Sequence, residues 1–177
     1  MTDTFNASDA ARDFHALGIL ASQGRAWLID AAYPLWSGSG FDAAAGLFEE
    51  QLDFAGRPVT SVPRRLMVQA RQIAVFARAA LSGDFPAGAN LALTAGHRVI
   101  ERYLQADGRP GWVFSIGRDN VVADPTRDLY AHAFVLFALS YLIRLDDRPE
   151  FREAVRATLS YIDSDFADPV HGGYWDS

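Results

Sequence analysis

An arginine occupies the middle of a mainly apolar segment, residues 64–79, whose pattern is typical of a helix. A guanidinium in such a helix must either reach water or meet a partner, and Arg71 therefore has two candidate roles. In one role it binds a ligand through its fork of hydrogen-bond donors. In the other it is a structural arginine, paired with one of three acids in the preceding segment: Glu49, Glu50 or Asp53.

A tyrosine and a histidine lie in a second apolar segment, Leu129 to Ile143. His132 is a candidate for ligand contact because a free imidazole titrates near neutral pH, but a core histidine with satisfied hydrogen bonds is the alternative. Tyr130 is the weaker candidate of the two. The chain has four histidines, and we find no pair among them with metal-ligand spacing, so the sequence predicts no metal site.

The composition excludes several classes of protein. The chain of 177 residues has no cysteine, which rules out disulfides and thiolate metal sites. Its net charge of -6 and scattered basic residues argue against nucleic acid and favour a neutral small molecule as partner. The longest apolar run is too short to span a membrane, and the N-terminus lacks the pattern of a secretory signal. We therefore expect a cytoplasmic protein.

Helices separated by short glycine and proline segments account for most of the chain. Gly18 and Gly24 make the middle of the first helical stretch ambiguous. The segment 149–163 has one polar face and predicts an outer helix, whereas two helices without a wide polar face predict inner helices. The helices are predicted up to about residue 35 and at 63–81, 86–104, 126–144 and 149–163, with 63–81 and 126–144 as the inner pair.

Three segments, 46–59, 111–122 and 172–177, have aromatic residues and turn residues instead of a helical pattern. The first two predict β-hairpins. An internal alignment places "QARQIAVFA" (69–77) on "YAHAFVLFA" (130–138), and with it Arg71 on His132. These observations predict a repeated unit of outer helix, hairpin and inner helix.

Such repeats must stack or close into a ring to cover their inner helices. The sequence therefore predicts an all-α fold of the (α/α)6-toroid type, here about half a barrel, with short β-hairpins between outer and inner helices. Polar residues of the inner helices would face the central cavity, so Arg71 and His132 are expected to be neighbours in one pocket. A concave site of this kind suits a small polyol or sugar.

The segments "GLFEEQLDFAGRPV", "RRLMVQARQIAVFARA", "GWVFSIGRDNVVADPTRDLYAHAFVLFALSYL" and "GGYWDS" resemble the first half of the N-acylglucosamine 2-epimerase family. The resemblance runs from about Trp27 to the last residue, and the family includes cellobiose 2-epimerases and mannose isomerases. It implies an (α/α)6 barrel that epimerises sugars at C2 or interconverts aldoses and ketoses. The family's substrate-contacting arginine falls on Arg71, and its pocket tyrosine and histidine fall on Tyr130 and His132.

The family's catalytic histidine pair lies in the second half of the barrel, so the resemblance implies no catalytic residue in this chain and no cofactor. We expect residues 1–177 to form one domain, the N-terminal half of a barrel, that pairs with a second half-barrel or another copy of itself. Two alternatives stay open. One is a non-catalytic helical scaffold that binds carbohydrate or protein. The other is a glycoside-processing enzyme on the same toroid, which normally needs a pair of carboxylates.

Overall fold

Six α-helices dominate the structure, a computed structural model that describes residues 7–176. Two π-helical turns extend the helices: Leu28–Ala32 follows the first helix, and Ile162–Phe166 follows the last. The predicted helices are confirmed within a few residues at each end. The helices are α1 (Ala7–Trp27), α2 (Tyr33–Ser37), α3 (Leu66–Leu81), α4 (Gly88–Tyr103), α5 (Leu129–Leu145) and α6 (Pro149–Tyr161).

Five short strands form two small antiparallel sheets between the helices: β1 (Phe41–Asp42), β2 (Leu47–Phe48), β3 (Arg64–Arg65), β4 (Ser115–Ile116) and β5 (Val122–Asp124). In one sheet β1 pairs with β2, and in the other the order is β3, β4, β5. Because β3 immediately precedes α3 and β4 follows α4, the second sheet joins the start of one inner helix to the next hairpin along the chain.

The structure confirms both predicted turns and adds one strand pairing that the sequence did not predict. The segment 111–122 contains β4 and most of the β4–β5 turn, as expected. In the segment 46–59 the strand β2 pairs with β1, which precedes the segment. The rest of the segment forms a narrow antiparallel hairpin around Ala55 and Gly56, with a bridge between Leu52 and Pro58 and backbone hydrogen bonds from the N–H of Asp53 to Arg57 O and from the N–H of Val59 to Gln51 O. The last segment, 172–177, joins the fold through a bridge between Ala167 and Tyr174.

The two inner helices pack side by side, with the outer helices behind them. α3 contacts α5 and α4, and α6 packs on α5. Gly96 of α4 lies close to α5: a Cβ at this position would stand 2.5 Å from Cδ1 of Leu142. On α6, Phe151 and Ala154 are buried while Arg152 is exposed, as the sequence predicts for an outer helix. None of the helices described here is both long and apolar enough to cross a membrane.

Candidate functional site

The side of α3 and α5 opposite the outer helices is exposed. On α3 the exposed side chains recur at the helical period, so they form one row along the helix. α5 presents a parallel row, and the two rows meet where the Arg71 guanidinium lies over the Phe134 ring, with Cζ 5.4 Å from the ring centroid. We call this surface the inner face; it consists of Arg71, Val75 and Arg78 of α3 and Tyr130, Phe134, Phe137, Tyr141 and Arg144 of α5.

Arg71 has no carboxylate partner among the described residues. The three acids that the sequence offers as its ion-pair partners are all engaged elsewhere, so the structural-arginine alternative loses its candidates. Arg71 is instead exposed, with the ring of Phe134 as its neighbour. The acids pair as follows: Glu49 with Arg64 and Arg118, Glu50 with Arg65, and Asp53 with Arg57.

Four aromatic side chains form a continuous ladder along the inner face of α5. Tyr130 contacts Phe134, Phe134 contacts Phe137, and Phe137 contacts Tyr141, at centroid distances of 4.9, 6.5 and 5.1 Å. All three contacts are edge-to-face, a favourable arrangement for aromatic pairs. Tyr130 and Phe137 are each about half exposed, at 54% and 50%. The ladder therefore offers an apolar surface with a phenol at each end.

His132 does not lie on the inner face. It is fully buried, and its ring stacks on Tyr161 at a centroid distance of 5.2 Å. The backbone N–H of Trp112 donates to Nε2 at 3.2 Å, so Nδ1 carries the proton and donates to the carbonyl oxygen of Asp128 at 2.7 Å. Burial lowers the pKa of His132, which favours the neutral ring. The geometry favours the alternative of a core histidine, and a shared pocket with Arg71 is not formed.

The counterpart of His132 in the first repeat is Gln69, not Arg71. Gln69 is fully buried, its Oε1 accepts from the Phe48 N–H at 2.9 Å, and its Nε2 donates to the Phe48 carbonyl at 2.8 Å. Each of the two side chains thus links an inner helix to the backbone of the preceding hairpin, at Phe48 in one repeat and Trp112 in the other.

The repeat register that places Gln69 on His132 is the correct one at these junctions, and the register predicted from the sequence, with Arg71 on His132, is wrong. The backbone agrees, because the N–H of Leu66 donates to Phe114 O and that of Leu129 to Asp176 O, each in the following hairpin segment. The sequence signal for this register is present in "RRLMVQ" (64–69) and "RDLYAH" (127–132), which begin with arginine and share a leucine at the helix start.

A buried cluster of charges fixes the hairpins beside α3. Arg64 is 1% exposed; its Nη2 donates to Asp42 at 2.7 Å and to Glu49 at 3.5 Å. Arg118, in the β4–β5 turn, also bonds to Glu49. Burial by itself would raise the pKa of Asp42, but hydrogen bonds from the N–H of Ala45 and from Arg64 outweigh it and lower that pKa. The cluster is a structural clasp between two hairpins.

The inner face offers hydrogen-bond donors and aromatic surface. Its polar groups are guanidinium and phenol groups, and it has no histidine and no carboxylic acid. Within the part of the chain that the structure describes, no three His, Asp or Glu side chains converge as metal ligands. The arrangement is suited to holding a polyhydroxylated ring, with donors at the edges and aromatic surface beneath it.

Comparison with known proteins identifies the family. The model of the N-acylglucosamine 2-epimerase (GlcNAc 2-epimerase) family matches residues 46–177, so the chain belongs to this family. A mannose-6-phosphate isomerase of Rhizobium meliloti (strain 1021) is 38% identical over 121 residues, which cover 66% of this chain and 29% of the relative.

Solved structures give the same result for the fold. Cellobiose 2-epimerase from Spirochaeta thermophila DSM 6192 is similar with a TM-score of 0.81 and 26% identity, covering 91% of this chain and 39% of that structure. A D-mannose isomerase matches with a TM-score of 0.74 and 22% identity, covering 87% and 38%. The fold class predicted from the sequence is confirmed. The chain spans less than two fifths of each of these proteins.

Proposed function

We propose that this chain forms a sugar-binding wall of a sugar 2-epimerase or aldose–ketose isomerase. The observation that supports this most directly is the exposed guanidinium of Arg71, which has no carboxylate partner among the described residues and lies beside the aromatic ladder. The names of the relatives agree, since they describe isomerases and epimerases of mannose, mannose 6-phosphate and cellobiose.

The reaction is general acid–base catalysis on the open-chain sugar. A base removes the proton next to the carbonyl, and the proton returns either to the opposite face of the same carbon or to the neighbouring carbon. Negative charge develops on the enediolate oxygens between these steps. We assign to Arg71 the role of holding a hydroxyl group or stabilising that charge, and to the Tyr130 hydroxyl, one helical turn before Phe134 on α5, the role of a second hydrogen-bond partner. The base comes from outside the inner face.

His132 takes part in this proposal as a positioning residue. Its bonds to Trp112 and Asp128 connect the hairpin to the first turn of α5, where Tyr130 begins the ladder. Asp128 adds a cap to the same turn, because its carboxylate accepts from the N–H groups of Tyr130 and Ala131. The direct sugar contacts are assigned to Arg71 and Tyr130.

One observation favours a second candidate, a carbohydrate-binding unit without catalysis. None of the residues of the inner face is a histidine or a carboxylic acid, so this surface binds without supplying the base. The same observation gives no support to a glycoside-processing enzyme, which normally uses two carboxylates across the cavity.

We further propose that this chain forms a single domain, half of an (α/α)6 ring, and that a second helical half completes the ring. Apolar side chains on two sides of the structure are exposed, Phe137 and Val75 on the inner face and Leu20 and Trp27 on α1. Exposed apolar surface of this extent is typical of an interface. The second half is either another part of a longer protein or another copy of this chain, in the cytoplasm, and light scattering distinguishes a monomer from a dimer.

Binding of D-mannose and cellobiose, measured by saturation-transfer NMR, tests the proposal. Arg71→Ala should abolish or strongly weaken the transfer signal, whereas Arg156→Ala, on the exposed side of α6, should leave it unchanged. Equal signals from both variants would contradict the assignment of Arg71. Incorporation of deuterium at C2 in D₂O, measured on this chain assembled with the second helical half that supplies the base, then separates the two candidates, because only an epimerase or isomerase exchanges that proton.

A further inference from the structure

The charge of the inner face is opposite in sign to that of the whole chain. The chain has 22 acidic and 16 basic residues, yet the inner face has three arginines and no carboxylate. Asp84, whose pKa the Arg78 charge helps to lower, is bonded to Arg25: the hydrogen bond from Arg25 is the main cause of the lowered pKa, and Arg78 adds a smaller effect. The site therefore has a local positive field in an acidic protein.

The arginines are divided between the two ends of the aromatic ladder. Arg71 lies over Phe134, whereas the Arg144 guanidinium lies over the ring of Tyr141, with Cζ 5.6 Å from its centroid. Phe134 and Tyr141 are two helical turns apart, about 10 Å along α5. Arg71 contacts Phe134 at the same register that places Gln69 on His132, and two turns further along the packed helices α3 and α5 this register pairs Arg78 with Tyr141. Two guanidinium groups thus flank the far end of the ladder.

We propose that the inner face binds a sugar bearing an anionic group, with that group between Arg78 and Arg144. This inference depends on the proposed function, and it adds the substrate class. The carbon chain of the sugar lies along the ladder, and its carbonyl end lies at Arg71. Guanidinium groups match the planar oxygen arrays of phosphate and carboxylate through paired hydrogen bonds, whereas a neutral hydroxyl needs no such charge.

Basic residues in the last turn of a helix also complement the helix dipole, and both Arg78 and Arg144 occupy such positions. That role predicts a small loss of stability on substitution and no effect on ligand preference. The preference between an anionic and a neutral form of the same sugar therefore distinguishes a binding role from a purely structural one.

Calorimetric titration of the chain with D-mannose, mannose 6-phosphate, glucuronate and inorganic phosphate tests the inference. We expect mannose 6-phosphate or glucuronate to bind about tenfold or more tightly than D-mannose at low salt, with a preference that falls as salt increases. The two anionic sugars distinguish a phosphate site from a carboxylate site. In the double variant R78Q/R144Q the ratio of anionic to neutral affinity should fall towards one, and in the control R156Q it should not change.

Three results would overturn the inference: equal affinities for D-mannose and both anionic sugars, a preference that persists in R78Q/R144Q, or inorganic phosphate that binds as tightly as mannose 6-phosphate. In each case binding of D-mannose itself would still support the proposed function. If no sugar binds, neutral or anionic, the proposed function fails as well.

Discussion

The two repeats of this chain connect their inner helices to the hairpins by the same plan, with different side chains. In the first repeat a buried amide, Gln69, bonds to both backbone groups of Phe48. In the second a buried imidazole, His132, accepts one N–H from Trp112 and donates to its own helix start. Position is therefore retained while the chemistry changes, because the backbone of each hairpin needs a polar partner inside the core.

The arginines that precede the two inner helices also occupy equivalent positions but differ in their burial and in their partners. Arg64 is 1% exposed and binds two carboxylates, whereas the side chain of Arg127 is 9% exposed and binds one carboxylate, Asp107, with backbone carbonyls around it. The segment that leads into α3 thus depends on a buried ion pair, whereas the segment that leads into α5 depends on an ion pair to a surface turn. This difference predicts which junction is more sensitive to substitution.

The largest expected effect is at Arg64. Arg64→Ala leaves the carboxylate of Glu49 buried with one partner fewer, and loss of one partner of a buried ion pair costs about 3–5 kcal/mol. Arg127→Ala should cost less, since Asp107 keeps Arg109 as a partner. Urea denaturation of both variants measures the difference in the free energy of unfolding. A loss for Arg127→Ala equal to or greater than that for Arg64→Ala would contradict the comparison.

A somewhat smaller effect is expected at Gln69. Gln69→Ala leaves the N–H and the carbonyl of Phe48 without their partner inside the core, which should cost about 2–4 kcal/mol. Gln23→Ala on the exposed surface of α1 is the matched control and should change the unfolding midpoint little. Similar midpoints for the two variants would show that Gln69 does not hold the hairpin.

The sequence predicted most of the fold but only part of this site. Helix positions follow from apolar spacing and from glycine and proline, which are local properties, and they agree with the structure within a few residues. The sequence marks Arg71 as the unusual residue of its helix, and in the structure it is exposed, but the predicted neighbourhood of Arg71 and His132 is not formed. Identical alanines and phenylalanines aligned best with Arg71 on His132, whereas the hydrogen bonds that define the repeat place Gln69 there.

The smallest predicted effect is a dependence of stability on pH. Burial lowers the pKa of His132 below its ordinary value of 6.5, so the unfolded chain binds this proton more readily than the folded chain. The contribution of His132 is complete above about pH 6.5 and is lost as the pH falls below it. The unfolding free energy should therefore decrease between pH 7.5 and 5.5, and less steeply in His132→Gln.

His15→Gln, at an exposed position of α1, provides the control and should keep the slope of the unmodified chain. If His132→Gln has that same slope, the buried imidazole does not titrate with folding. A glutamine at this position also tests the equivalence of the two repeats, because it places the Gln69 side chain where His132 stood.

The sequence by itself determined the helices, the hairpin next to the second inner helix and the family resemblance, because all of these depend on residue types at short range. Only the tertiary structure decided which side chains meet. Glu49 could pair with Arg71 by sequence, yet it pairs with Arg64 and with Arg118, which lies in a distant turn of the chain. The physical reason is that helical period fixes which face a residue occupies, whereas its partner depends on how distant segments pack.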